Sequence, residues 1–171
     1  MSTDATPEPI RLTLHSEAET RALAGRLVEI LGPGDTILLK GPIGAGKTAL
    51  SRALIHAFQQ AAGDIAEDVP SPTFTLVQTY RAGALEIWHA DLYRLTHPDE
   101  VVELGLEDAF ATALCLVEWP DRLGDLAPEG ALSVTLEPGA EEETRLLTFD
   151  TTSPAWRSRL APVLEPAAND A

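Results

Sequence analysis

The residues from Gly41 to Thr48 read Gly-Pro-Ile-Gly-Ala-Gly-Lys-Thr, which fits G-x-x-x-x-G-K-[ST]. Each part of that pattern has a physical purpose. Glycines let successive backbone N–H groups turn inward around an anion, with no Cβ in the way. A helix starting near Lys47 would add its unpaired N–H groups and the positive end of its dipole. Lys47 would reach the β- and γ-phosphates as an exposed ligand, and the Thr48 hydroxyl would ligate magnesium. The expected ligand is a nucleoside triphosphate with magnesium, held by Gly41, Gly44, Ala45, Gly46, Lys47, Thr48 and Ala49. The pattern alone occurs by chance. Here a buried strand precedes it and an amphipathic helix follows, the context that a phosphate-binding P-loop requires.

Magnesium needs a further protein oxygen, usually an acid at the end of a neighbouring strand. Leu114-Cys115-Leu116-Val117-Glu118 is an apolar run ending in a carboxylate, so Glu118 is the first candidate. Its bland alternative is an exposed Glu at a strand end. Asp91, just after an expected strand Leu85 to His89, is the second. It would ligate the metal through water or orient the attacking water, or else cap the Leu92-Tyr93-Arg94 stretch. His89 alone on a strand reads more readily as structural. Ser71-Pro72-Thr73 is a hydroxyl-rich loop placed to approach the γ-phosphate and order around it, a known switching device, or it is an ordinary turn.

The elements around these residues follow from periodicity and turn chemistry. Ile10 to Leu14 alternate as a strand. Ser16-Glu17-Ala18-Glu19 has capping-box spacing, and Leu23, Leu27, Ile30 and Leu31 continue a helix from about Glu17 to Leu31. Gly32-Pro33-Gly34-Asp35 turns into the β-branched apolar run Thr36 to Lys40. After the glycine-rich loop, Leu50, Ala53, Leu54, Ala57, Phe58 and Ala61 line one helix face, which Gly63 stops. Thr75 to Tyr80 and Leu85 to His89 form a hairpin through Arg81 to Ala84, so part of the sheet is antiparallel. Thr96 to Asp99 start a short acidic helix with Pro98 in its first turn. Leu132 to Leu136 and Arg145 to Phe149 form a second hairpin around the charged turn Pro138 to Glu143. A short helix follows Pro154. The expected fold is α/β, a three-layer P-loop NTPase with a mixed parallel and antiparallel central sheet. Residues 1–9 read as a disordered leader, 10–152 as the P-loop domain, and 153–171 as a C-terminal helix and tail without an assigned role.

Composition bounds the function. The chain has 171 residues, one domain's worth, and 44% of them are hydrophobic. Its longest apolar run, Ala113 to Val117, is too short to span a bilayer. The polar, acidic start lacks the features of a signal peptide, so a cytoplasmic location is expected. The single cysteine, Cys115, reads as a small core residue. Asp and Glu number 27 against 12 Lys and Arg, a formal charge of −15. That balance disfavours independent grip on RNA or DNA, which calls for a basic face. A partner would have to hold any nucleic acid.

Four motifs together, G-P-I-G-A-G-K-T, V-P-S-P-T-F-T-L-V-Q-T-Y, H-A-D-L-Y-R-L and C-L-V-E-W-P-D-R, resemble the TsaE family, bacterial ATPases of the tRNA threonylcarbamoyladenosine pathway. The resemblance covers roughly Leu12 to Leu136. It implies slow ATP hydrolysis in company with TsaD and TsaB, where TsaD transfers the threonylcarbamoyl group to adenosine 37 and the TsaE protein supports repeated turnover. It further implies that tRNA is met only through those partners. By the same resemblance Lys47 and Thr48 are the phosphate lysine and magnesium threonine. Thr73 belongs to the switch-like S-P-T motif, Asp91 is the aspartate needed for activity, and Glu118 is the magnesium-linked glutamate beside Trp119. Two rivals fit less well. A small-molecule kinase would add an Arg-bearing lid, and a GTP switch would carry a guanine-reading N-K-x-D segment. This chain has neither.

Overall fold

The computed structural model describes residues 9–70, 76–97, 99–150 and 153–164. Residues 1–8 of the expected leader, the Ser71-Pro72-Thr73 loop, Thr75, Pro98 and the end of the tail therefore lie outside the described residues.

Strand β1 (Ile10–Leu14) leads into helix α1 (Glu17–Leu27). The capping box forms much as its spacing implies. Ser16 Oγ accepts from the Glu19 backbone N–H, and the Glu19 carboxylate reaches back to the His15 N–H. The regular helix stops at Leu27 rather than Leu31. The chain tightens there, with Glu29 and Ile30 donating three residues back, and Leu31 is still buried. Strand β2 (Thr36–Lys40) is buried except for Lys40. Helix α2 (Lys47–Ala61) starts directly after the glycine-rich loop and turns off at Gly63, whose φ is +78°.

Strands β3 (Val77–Ala82) and β4 (Leu85–Asp91) pair through a tight turn at Gly83-Ala84, two residues shorter than the turn expected from sequence. Strand β4 also runs two residues further than expected, so Asp91 is its last residue. Short helices α3 (Asp99–Leu104) and α4 (Leu106–Thr112) precede β5 (Leu114–Glu118), every residue of which is buried. A 3-10 segment, Pro120–Leu126, leads to the hairpin β6 (Leu132–Pro138) and β7 (Arg145–Phe149). Helix α5 (Pro154–Leu164) follows.

The seven strands form one sheet in the order β1-β7-β6-β2-β5-β4-β3. The four central strands β6, β2, β5 and β4 are parallel, and antiparallel pairs flank them on both sides. Apolar residues of α1, α2 and α5 pack with the sheet in one core cluster, and those of α3 and α4 in a second. This is a three-layer α/β fold with the P-loop at the carboxyl end of its central strand, where open α/β sheets bind ligands. No helix among the described residues is long and apolar enough to cross a membrane.

Candidate functional site

The loop Gly41–Gly46 joins the middle of the sheet to the amino end of α2. Its conformation depends on glycine at two places. At Gly41, with φ of +140°, a Cβ would lie 2.2 Å from the Leu136 carbonyl oxygen of β6. At Gly46, the φ of +105° directs the chain into α2. The backbone N–H groups of the first turn of α2 thus open onto a cavity of about 460 Å³, which also meets Ile43, Asp91, Glu118, Trp119 and Arg145.

Lys47 is not the exposed ligand that its motif led us to expect. It is only 5% exposed. Its ammonium donates to the Gly41 carbonyl at 2.5 Å and the Pro42 carbonyl at 2.9 Å, and lies 4.2 Å from the centre of the Trp119 ring. Burial pulls its pKa below the ordinary lysine value, and the Glu118 and Asp91 carboxylates push the other way. The Trp119 ring and the loop backbone that bury the amine also hold it at the glycine-rich loop.

The two candidate carboxylates are brought together by strand register. Strands β4 and β5 run parallel with Asp91 opposite Glu118, so both acids stand at the same level on neighbouring strand ends. Glu118 is 2% exposed and lies within 2.9 and 3.0 Å of the Thr48 hydroxyl, which donates to it. Asp91 accepts from the Tyr93 backbone N–H at 3.0 Å, so the capping alternative describes one of its contacts. Trp119, immediately after Glu118, has φ of +59°, a left-handed conformation that L residues rarely adopt. Its ring packs against Tyr93 at 4.8 Å.

Sequence reasoning underweighted His89 and missed Arg145. His89 is fully buried, and its Nε2 lies 2.6 Å from Glu118 Oε2. The period of two along β4 was the available signal, since it puts His89 and Asp91 on one face of the sheet. Arg145 enters from the far hairpin and rests against the loop. A Cβ added at Gly46 would meet its side chain at 2.7 Å. Nothing local in the sequence connects residues 46 and 145. Thr73 lies outside the described residues.

The hydroxyl of Thr48 and the carboxylate of Glu118 are hard oxygen donors side by side at the cavity beside the glycine-rich loop. Such a set suits magnesium, which takes one or two protein oxygens and completes its shell with water and phosphate. No cluster of three or more His, Cys, Asp or Glu suited to a metal occurs among the described residues, and a phosphate-linked magnesium does not call for one.

The family model for "Threonylcarbamoyl adenosine biosynthesis protein TsaE" matches residues 14–147. The chain belongs to the TsaE family. Its role therefore lies in the biosynthesis of threonylcarbamoyladenosine in tRNA. TsaE relatives include those of Rickettsia conorii, 44% identical over 73% of this chain and 69% of the relative, and Rickettsia felis, 41% identical over 83% and 80%. The Bacillus subtilis TsaE protein is 36% identical over 77% of this chain and 78% of its own. Among solved structures, Bacillus subtilis YdiB superposes with a TM-score of 0.73, covering 96% of this chain and 97% of that one at 24% identity. At that identity the likeness speaks for the fold. The TsaE match covers the loop, both strand-end acids and Arg145, and stops before α5.

Proposed function

We propose that this TsaE-family chain binds ATP with magnesium at the Gly41–Thr48 loop, hydrolyses it slowly, and works in the cytoplasm with TsaD and TsaB in modifying adenosine 37 of tRNA. The observation that carries the site reading is the contact of Thr48 with Glu118, which joins the phosphate loop to the strand-end acid. The named partners rest on the family resemblance and agree with the charge of −15, which leaves tRNA to be held by other proteins.

In this reading the loop N–H groups and the amino end of α2 bind the phosphates. Lys47 is held at the loop and reaches the β- and γ-phosphates. Thr48 and Glu118 are the residues that would hold magnesium, directly or through water. A magnesium ion held there would supply positive charge to offset the negative charge that develops on the transferred phosphoryl group. Asp91 orients the attacking water, and Thr73 approaches the γ-phosphate from the loop before β3. Catalysis of this kind is positioning and electrostatics, with no covalent step for the protein.

The test is ATP hydrolysis by the purified chain, alone and with TsaD and TsaB added. Lys47→Ala should lower turnover roughly a hundredfold, as expected for loss of one preorganised charge, about 3 kcal/mol. It should also remain folded. Wild-type turnover in a folded Lys47→Ala protein would refute the assignment, and an ATPase indifferent to both partners would refute the partnership.

A further inference from the structure

His89, two residues before the end of β4, is a buried ionisable group for which the reading above has no use. We infer that His89 is a positioning residue whose Nε2–H holds the Glu118 carboxylate toward Thr48, fixing the donor geometry for a divalent cation bound with a nucleoside triphosphate. The inference rests on the ATP–magnesium reading and deepens it.

Three observations carry it. First, the contact is short, 2.6 Å, and lies wholly in the interior, with His89 0% and Glu118 2% exposed. In the inferred pairing the carboxylate oxygen accepts and the ring donates from Nε2. Second, the other ring nitrogen, Nδ1, is buried without a hydrogen-bond partner among the described residues. Burying an unpaired polar atom is unfavourable, and an aliphatic side chain at this position would avoid it. A core histidine kept only for packing would gain nothing from that arrangement. Among the described residues the ring makes one polar contact, and that contact is Glu118. Third, the two donors to Glu118 come from different elements: Thr48 from α2, at the phosphate loop, and His89 from the strand beside β5. With the Thr48 O–H directed to Glu118, its oxygen lone pairs stay available to a cation. Without His89, Glu118 would be held from the Thr48 side alone and could swing about its side-chain bonds. Supporting groups that orient a metal-linked carboxylate in this way are worth 10- to 100-fold in metal affinity.

Two variants separate positioning from packing. His89→Leu fills the space without a donor, and His89→Gln restores an N–H near the Nε2 position. Binding of a fluorescent ATP analogue is measured in magnesium and in EDTA, with melting curves to confirm folding. The expected result is that His89→Leu loses about tenfold or more of the magnesium-dependent gain in affinity. Its affinity in EDTA should stay near wild type, and His89→Gln should recover most of the gain. A His89→Leu protein that keeps the full magnesium gain, or that weakens equally in magnesium and EDTA, would overturn the inference. A second readout needs neither metal nor nucleotide. Nitrogen-15 spectra of the imidazole in the free protein should show Nε2 protonated, with a proton slow to exchange, and Nδ1 as the sole protonated nitrogen would overturn the pairing. If the wild-type protein itself binds the analogue with no magnesium dependence, the ATP–magnesium reading fails, while the spectra still judge the His89–Glu118 contact.

Discussion

Glu118 and Asp91 end adjacent strands in register, yet their surroundings differ enough to give them different work. Glu118 is tied to the Thr48 hydroxyl, which in the proposed reading places it with the cation. Asp91 is tied to the backbone of the segment that follows it, at the Tyr93 N–H, and faces the cavity from the next strand. Loss of ground-state binding raises the substrate needed for saturation, whereas loss of an interaction made only in the transition state lowers the maximal rate. Glu118→Gln should therefore weaken ATP affinity in a way that added magnesium partly restores. Asp91→Asn should leave that affinity close to wild type and lower the maximal rate, on the order of a hundredfold if it orients the nucleophile. Titrating both variants with ATP at several magnesium concentrations decides the matter. The opposite pattern would mean that Asp91 is the metal-linked acid and Glu118 acts on the water.

The elements that carry these residues were readable to different depths, and the difference is physical. Strand β2 was legible to the residue because an apolar β-branched run is bounded by a turn on one side and the glycine pattern on the other. The helix α1 cap was legible because its bonds are local. The carboxylate pair, the His89–Glu118 contact and the place of Arg145 were not, because each depends on which strands become neighbours, and strand order is set by nonlocal packing. The glycine pattern shows both kinds of constraint. In Gly41→Ala the new Cβ would collide with the backbone oxygen of Leu136, and neither β2 nor β6 can yield without breaking their pairing. Gly46→Ala meets the far end of the Arg145 side chain, which can rotate away, and mainly suffers strained backbone, about 1–2 kcal/mol. Chemical denaturation should show Gly41→Ala as clearly the more destabilised of the two, by about 2 kcal/mol or more; equal losses would contradict this account. Strand β5 permits another test. Burial there pushes the Cys115 thiol up to about 12 from an ordinary 9.0. The thiol's folded pKa exceeds its unfolded one, so its contribution is fully present below pH 9. It is lost as the pH rises toward 12, at about 1.4 kcal/mol per pH unit. Stability measured across that range should fall more steeply for the wild type than for Cys115→Ala. Parallel profiles would mean that the thiol ionises as readily in the folded protein as in the unfolded chain.

Across the whole molecule, the helix beyond the family match is part of the same core as the strand that supports the glycine-rich loop. Trp156, Leu160, Val163 and Leu164 of α5 join the cluster that contains Leu23, Ile37, Leu54 and Phe149. The Trp156 indole donates to the Gly130 carbonyl at 2.7 Å, ahead of β6. Arg159 ties α5 to the turn that opens β2. Its guanidinium grips both Asp35 oxygens, at 3.0 and 2.6 Å, also donates to the Ile30 carbonyl, and stacks on Trp156 at 4.0 Å. Asp35 in turn accepts from the Gly32 N–H through its carboxylate and from the Cys115 N–H through its backbone carbonyl. One arginine thus joins α5, the α1–β2 turn and the start of β5. The pair is partly open to solvent, 35% exposed at Arg159 and 18% at Asp35, so its worth is that of a charged, geometrically defined bond rather than a dry one. Arg159→Ala should cost about 2 kcal/mol and lower the melting temperature by roughly 4–8 °C for a chain of this length. Removing α5 altogether is far more severe. Each of its four buried apolar side chains is worth roughly 1.5–3 kcal/mol, and the sum rivals the whole stability of a domain, about 5–15 kcal/mol. Chains ending before Ser153 should therefore show no cooperative melt. None of the residues lining the cavity at the glycine-rich loop lies on α5, so on the proposed reading Arg159→Ala, measured well below its melting temperature, should bind nucleotide as the wild type does. A truncated chain that melts like the full one would show that α5 only rests on the core, and an Arg159→Ala protein with lost nucleotide affinity but unchanged melting would assign the helix to the site instead.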